Sequence, residues 1–324
     1  MYFNKPKFWD YKRSNYLSYL LLPFTVIIIF SNWIDQFFLK KKFKIKTICV
    51  GNIYLGGTGK TPISIEIFKI LKKFGFRSAF IKKNYSAHKD EIKLLSKVGP
   101  VISMRSRKDS IEYAESKKFK RLIIDDGLQD KSINYDLKIV CFNKKNFIGN
   151  GRLIPAGPLR EKLNSLKKYD IILLNGPGTC DPKIKRKISK INKKLTVFET
   201  YPVITNKNKI NKKRRYLLFS GIGNPNSFPE LLSMNDFKIS ETIVFPDHYN
   251  YSFQDIASIK ERAKILDLRI LTTEKDYLRI DKKDRSNINF VKLKFKIENA
   301  LFPACKSGLV NSCFAQYTPW LKSW

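Results

Sequence analysis

Residues Gly56-Gly57-Thr58-Gly59-Lys60-Thr61 have the types and spacing that hold phosphate. Glycines let successive backbone N–H groups curl around phosphate oxygens, and a helix starting at such a loop adds partial positive charge. Lys60 is placed to reach β- and γ-phosphates, and the Thr61 hydroxyl to ligate Mg²⁺. The strict pattern has glycine five residues before Gly59, where this chain has Tyr54, so the loop is a variant. A second constellation is Leu122-Ile-Ile-Asp-Asp-Gly127, an apolar run ending in two carboxylates. Beside a phosphate loop, Asp125 and Asp126 would hold Mg²⁺ directly or through water. The competing readings are an ordinary Gly-rich turn and a capped turn after a strand. Asn143-Lys144-Lys145-Asn146 ends in Asn where guanine reading needs an acceptor-only carboxylate, which argues against a GTPase and leaves an ATPase open.

These residues need a scaffold, and the surrounding pattern supplies one. Lys44 to Gly51 reads as a buried strand entering the loop, and Ile63, Ile67, Ile70 and Leu71 recur at helical spacing after it. Further strands are predicted at 77–81, 122–124, 137–142 and 171–174, which indicates βαβ units and a mainly parallel sheet. The polar stretch 206–215 reads as a linker. Beyond it, strands at 216–220, 242–245 and 269–272 alternate with helices at 227–234 and 253–266. The predicted domains are an N-terminal segment 1–40, a core 41–205, a smaller α/β domain 216–300 and an unassigned tail 301–324.

Ser14 to Ile34 is a 21-residue run without charge. As one helix it would span about 31 Å, matching a bilayer core of about 30 Å. Trp9, Tyr11 and Tyr16 flank one end and Trp33, Phe37 and Phe38 the other. No small-x-small cleavage site follows. A buried core helix is one alternative; an anchor that spans the bilayer or lies in its interface is the expectation. Lys40, Lys41, Lys42, Lys44 and Lys46 follow the run and favour a cytoplasmic body.

The chain has 324 residues, 43% of them hydrophobic, which excludes wholesale disorder. Five scattered cysteines and two histidines make a disulfide scaffold or a zinc site improbable. With 63 basic against 28 acidic residues the net charge is +35. Two readings of that excess compete, an anionic partner and compositional drift. The basic residues are dispersed, and no nucleic-acid partner is expected.

Five ordered segments carry a resemblance: Val50–Pro62, Asp125-Asp-Gly-Leu-Gln129, Gly149–Glu161, Phe245-Pro-Asp-His248 and Thr272-Thr-Glu-Lys-Asp276. Together they resemble the tetraacyldisaccharide 4′-kinase (lipid A 4′-kinase) family. The resemblance implies an α/β, P-loop NTPase-like, mainly parallel core, a second smaller α/β domain and an N-terminal membrane helix. It implies transfer of the γ-phosphoryl group from ATP, with Mg²⁺, to the 4′-hydroxyl of an acylated glucosamine disaccharide 1-phosphate. The setting implied is the cytoplasmic side of a bacterial inner membrane. Tyr54 and Leu55 would bind nucleotide with Gly56 to Thr61, and Thr273, Glu274 and Asp276 would line the facing edge of the cleft. Asp90 would be the catalytic acid–base group with His248 as its partner. Lys60 and Arg160 would meet phosphate charge; Thr61, Asp125, Asp126 and Glu161 would serve the metal, with Gln129 supporting the acids. His88 reads as incidental.

The chain departs from that family after its second strand. Lys82-Lys83-Asn84-Tyr85-Ser86 replaces a Ser-Arg-Gly-Tyr-Gly segment, and Asp90 follows Tyr85 by only five residues. Asp130 stands after Gln129 where the family often has His. One alternative is a membrane-tethered ATPase or nucleotide switch with a protein partner; the shortened loop suggests another, a non-catalytic nucleotide- or lipid-binding scaffold.

Overall fold

A computed structural model describes residues 5–11, 15–34, 37, 39–84, 89–193 and 195–298. Tyr85, Ser86, His88 and the 301–324 tail lie outside them. In chain order the regular elements begin with α1 (Tyr16–Leu20), α2 (Thr25–Ile34), β1 (Lys46–Gly51), α3 (Lys60–Lys73), β2 (Ser78–Ile81), α4 (Lys89–Ser96), β3 (Val101–Ile102) and α5 (Arg107–Ser116). Then come β4 (Arg121–Asp125), β5 (Leu137–Asn143), β6 (Ile171–Asn175), α6 (Pro182–Ile191), β7 (Thr196–Ile204), β8 (Arg215–Ser220) and α7 (Ser227–Ser233). The last are β9 (Lys238–Val244), α8 (Phe253–Ile265), β10 (Arg269–Thr273), α9 (Glu274–Arg279), β11 (Ile288–Val291) and β12 (Leu293–Glu298).

Eight strands form one sheet in the order β12-β7-β6-β5-β1-β4-β2-β3, parallel except for β12. Successive side chains of a strand point to opposite faces, so a buried parallel sheet needs apolar residues on both. Cys49, Ile124 and Phe142 pack with Ile111 of α5 and Ile188 of α6 on one face. Ile48, Val50 and Ile123 pack with Ile63, Ile67 and Leu71 of α3 on the other. The chain leaves β1 between β5 and β4, and loops at such a reversal of strand order open a crevice beyond the strands' carboxyl ends. A second sheet, β11-β10-β8-β9, is parallel throughout and has its own cores on both faces.

The predicted span 216–300 for the small domain is shortened. β12 crosses back and pairs antiparallel with β7, placing Phe295 in the large core. The chain therefore crosses between the domains twice, and the second crossing, at Lys292, is hydrogen-bonded to the start of the first. Thr205 N donates to Lys292 O at 2.9 Å, and Lys292 N donates to the Asn206 side chain at 2.9 Å.

The single membrane-length helix expected at 14–34 does not form. The chain turns over Leu21–Phe24 around Pro23, and proline neither donates a backbone hydrogen bond nor tolerates the preceding helical turn. α2 has 10 residues, about 15 Å at ~1.5 Å per residue. Among the described residues no helix is long and apolar enough to cross a membrane. The pair instead lies on the 149–160 segment. Ser18 Oγ donates to Ala156 O at 2.5 Å and receives Arg152 Nη1 at 3.0 Å, while Asn32 Nδ2 donates to Arg160 O at 3.1 Å. Leu20, Phe24, Ile27, Phe30 and Trp33 stay exposed.

Candidate active site

The turn from β1 into α3 carries the predicted loop. Gly59 caps α3 in the left-handed region, φ 79°, which an L side chain resists. The loop is braced from two sides. Asn175, at the end of β6, donates its amide to Thr58 O, and its oxygen receives Thr200 Oγ1. Leu55 N donates to Pro158 O and Arg160 N to Ile53 O, each at 2.8 Å. Tyr54 and Leu55 belong to this bracing and do not line the cavity. The Tyr54 ring is buried, with its phenol on Asp10 and Lys5.

β4 lies beside β1 in a register that pairs Val50 with Asp125. Asp125 is fully buried and accepts from Thr61 Oγ1 at 3.1 Å, Ser64 Oγ at 3.0 Å and Lys82 Nζ at 2.8 Å. Asp126 follows in a left-handed conformation, φ 61°, and its Oδ1 faces Lys60 Nζ at 3.5 Å and Arg160 Nη1 at 3.9 Å. Burial opposes its charge, but Lys60, Lys82 and Arg160 prevail and hold the carboxyl down at about 2. Arg160 also donates to Gln129 Oε1 at 2.8 Å, and Gln129 in turn to Asn52 O. Gln129 thus reaches the acids through Arg160.

Two predicted site residues serve other partners. Glu161 was expected on metal, yet its oxygens accept from Lys131 at 2.6 Å and Tyr169 at 3.0 Å. No group of three or more His, Cys, Asp or Glu side chains suited to a metal occurs among the described residues. Asp276 was expected at the nucleotide, yet it is fully buried and caps α9 while accepting from Gly221 N and Tyr251. Thr273 and Glu274 do line the cavity.

The large domain's α4 brings Asp90 and Glu91 against the small domain's α9. Asp90 Oδ1 lies 3.4 Å from His248 Nδ1, and Oδ2 accepts from Arg279 at 2.7 Å. Burial again opposes ionisation of Asp90, but the His248 hydrogen bond and the Lys275 and Arg279 charges keep it well below the usual range. Glu91 bridges Lys82 and Lys275 across the domains, and these cations hold it down against burial. His248 sits in the loop after β9 at φ 58°, held by its N–H on Gly221 O at 3.2 Å. Lys82, Lys275, Arg279 and Asn175 were not singled out from sequence. They reach the site from three places, the chain just after β2, the end of β6 and α9, and only Lys275 and Arg279, flanking Asp276, carried a local signal.

A cavity of about 530 Å³ opens between the domains. Gly56 to Thr61 line one wall; Gly223, Asn224, Asp247, His248 and Thr273 to Lys275 line the other. A Cβ on Gly223 would sit 2.6 Å from Gly57 N, so the two loops touch through glycine backbone. Buried polar atoms left without hydrogen-bond partners include Asn52 Oδ1, Thr58 Oγ1 and Asp126 Oδ1, all around the phosphate loop. Such atoms are costly unless something completes them.

This is a two-domain α/β protein whose phosphate-type loop faces an acid pair and a second domain's histidine. The family described as LpxK, tetraacyldisaccharide-1-P 4′-kinase, matches over residues 16–97 and 90–309. A tetraacyldisaccharide 4′-kinase of Pelagibacter ubique is 46% identical over 302 residues, covering 92% of this chain and 95% of its own. One from Rickettsia conorii is 33% identical over 294 residues, covering 85% and 89%. The crystal structure of an "apo" form LpxK from Aquifex aeolicus in complex with ATP superimposes with a TM-score of 0.62 at 25% identity, over 87% of this chain and 95% of that one. The chain belongs to the tetraacyldisaccharide-1-P 4′-kinase family, and it is a phosphotransferase of the lipid A pathway.

Proposed function

We propose that the chain transfers the γ-phosphoryl group of ATP to the 4′-hydroxyl of an acylated glucosamine disaccharide 1-phosphate. The observation that carries this is the cavity that joins the Gly56–Thr61 loop to His248, backed by Asp90. Gly57, Thr58 and Gly59 present backbone N–H groups, and Lys60 and Arg160 supply fixed positive charge where phosphoryl oxygens gain negative charge. Asp90 draws the proton of the attacking hydroxyl through His248, which lines the cavity and whose Nδ1 faces Asp90 Oδ1. The oxygens of Asp126 and Thr58 that make no hydrogen bond suit a divalent cation carried with the nucleotide, with Thr61 and Asp125 as further oxygens beside them. Mg²⁺ there would neutralise charge between the β- and γ-phosphates. Asp125, already committed to three donors, would meet it chiefly through Thr61.

The acceptor's acyl chains belong in a bilayer, and the exposed apolar face of the α1–α2 pair supports a seat in the membrane interface. With ATP as donor, the cytoplasmic side of a bacterial inner membrane is the setting. The test is product formation from Mg-ATP and tetraacyldisaccharide 1-phosphate in mixed micelles. The wild-type protein should yield the 4′-phosphate, and Lys60→Ala should lower kcat by about 10²–10⁴-fold. A folded wild-type protein that binds ATP and makes no product would overturn the reading.

A further inference from the structure

We propose that Arg279 is a positioning residue that assembles the general base across the domain interface. Seated on α9 of the small domain, it fixes Asp90 of the large domain so that one carboxylate oxygen alone is left for His248. The inference rests on the kinase reading above.

The geometry is not that of an ordinary docking pair. An Arg–carboxylate contact made only for adhesion favours two parallel bonds to two oxygens. Here Nε and Nη2 converge on the same atom, Asp90 Oδ2, at 3.2 and 2.7 Å. Oδ1 is thereby reserved for the imidazole, 3.4 Å from Nδ1. The guanidinium is aimed from behind: Nη1 donates to Asp276 Oδ1 at 2.8 Å and to Gly221 O at 2.6 Å. Asp276 is itself fixed by Gly221 N at 3.0 Å and Tyr251 Oη at 2.9 Å. His248 N–H also meets Gly221 O, so one carbonyl registers both the arginine and the histidine. Arginine and aspartate side chains are 4% and 2% exposed, so water does not loosen the angle.

Both partners of Asp90 come from the small domain, so separating the domains strips the base of its orientation. Hydroxyl activation is thereby confined to the closed enzyme, where bulk water is excluded. The charged groups facing Asp90 are Arg279 and Lys275 from α9 and His248 from the loop after β9, with Glu91 beside it on α4.

The experiment is steady-state kinetics and pH profiles of Arg279→Gln, Arg279→Lys and Asp276→Asn. ATP-analogue affinity and unfolding midpoints serve as folding controls. Arg279→Gln should lower kcat by about 10–100-fold, the cost of a slightly misplaced group, with KM for ATP changed less than about 3-fold. The acid limb of its kcat profile should move to higher pH, because Asp90 loses a cation. Arg279→Lys should restore the acid limb but only part of kcat. Asp276→Asn, which does not touch Asp90, should lower kcat and be less than additive with Arg279→Gln. If Arg279→Gln does not fold, Arg279→Lys and Asp276→Asn decide. Variants that keep wild-type kcat and pH profile, whatever their midpoints, overturn the inference alone. A wild-type protein without transfer removes the kinase reading, and this inference with it.

Discussion

Asp125 and Glu91 are carboxylates that share one ammonium, Lys82, with Lys275 as a second cation on Glu91. Its side chain is 3% exposed. Burial works against its charge, but Asp125 and Glu91 raise its pKa well above the ordinary lysine range. Removing one member of a buried pair leaves the other uncompensated, so Lys82→Ala should cost about 3–5 kcal/mol in urea unfolding at pH 7. Glu91 binds its proton less readily folded than unfolded, so its contribution is complete above its ordinary value of 4.5 and fades as pH falls through the lower folded value. In Lys82→Ala that depression is relaxed in part, Lys275 remaining, and the deficit relative to wild type should shrink as pH drops below about 5. A deficit unchanged from pH 7 to 4 would refute the charge argument. The glycine loop and the acid pair were legible in the sequence because their residues are contiguous and their spacing has a mechanism. Lys82 and Arg279 were not, because they reach the site by tertiary contact. Glu161 and Asp276 show the converse: sequence places an acid beside a site but not which buried donors occupy its oxygens.

At the level of elements, the β-branched runs of β1, β4, β5 and β6 were legible almost to their ends. No strand was predicted where β12 runs, and its residues fell inside the span read as the small domain. Its alternation, with Phe295 inward between Lys294 and Lys296, marks an edge strand but says nothing about which edge it joins. Of the two readings of the N-terminal run, the single spanning-length helix fails, because hydropathy counts residues and not backbone donors and Pro23 divides the run. Its exposed residues carry a separate prediction. Ile27→Glu with Phe30→Glu should abolish flotation with anionic vesicles, since each removes buried apolar area and adds charge. Unfolding midpoints should barely move, because both side chains face solvent in the protein alone. Flotation unaffected by the pair would exclude this face from the membrane.

For the whole molecule, function depends on how closely two domains approach. Gly57 and Gly223 set that limit, since a methyl group on Gly223 would meet Gly57 N at 2.6 Å and Asp247 at 2.8 Å. Gly223→Ala should hold the cleft ajar, lowering kcat about 10-fold or more while leaving the midpoint near wild type. Small-angle scattering should show a larger radius of gyration with an ATP analogue bound. An unchanged radius and rate would mean that the cleft closes elsewhere.

The return of β12 to the large sheet bears on biosynthesis. A ribosome releases residues 46–204 first, yet the edge strand covering that sheet and its Phe295 emerge only after the entire small domain. The catalytic core therefore cannot finish folding before the last third of the chain is made, and nascent chains halted before residue 293 should expose an unpaired β7 to chaperones and proteases.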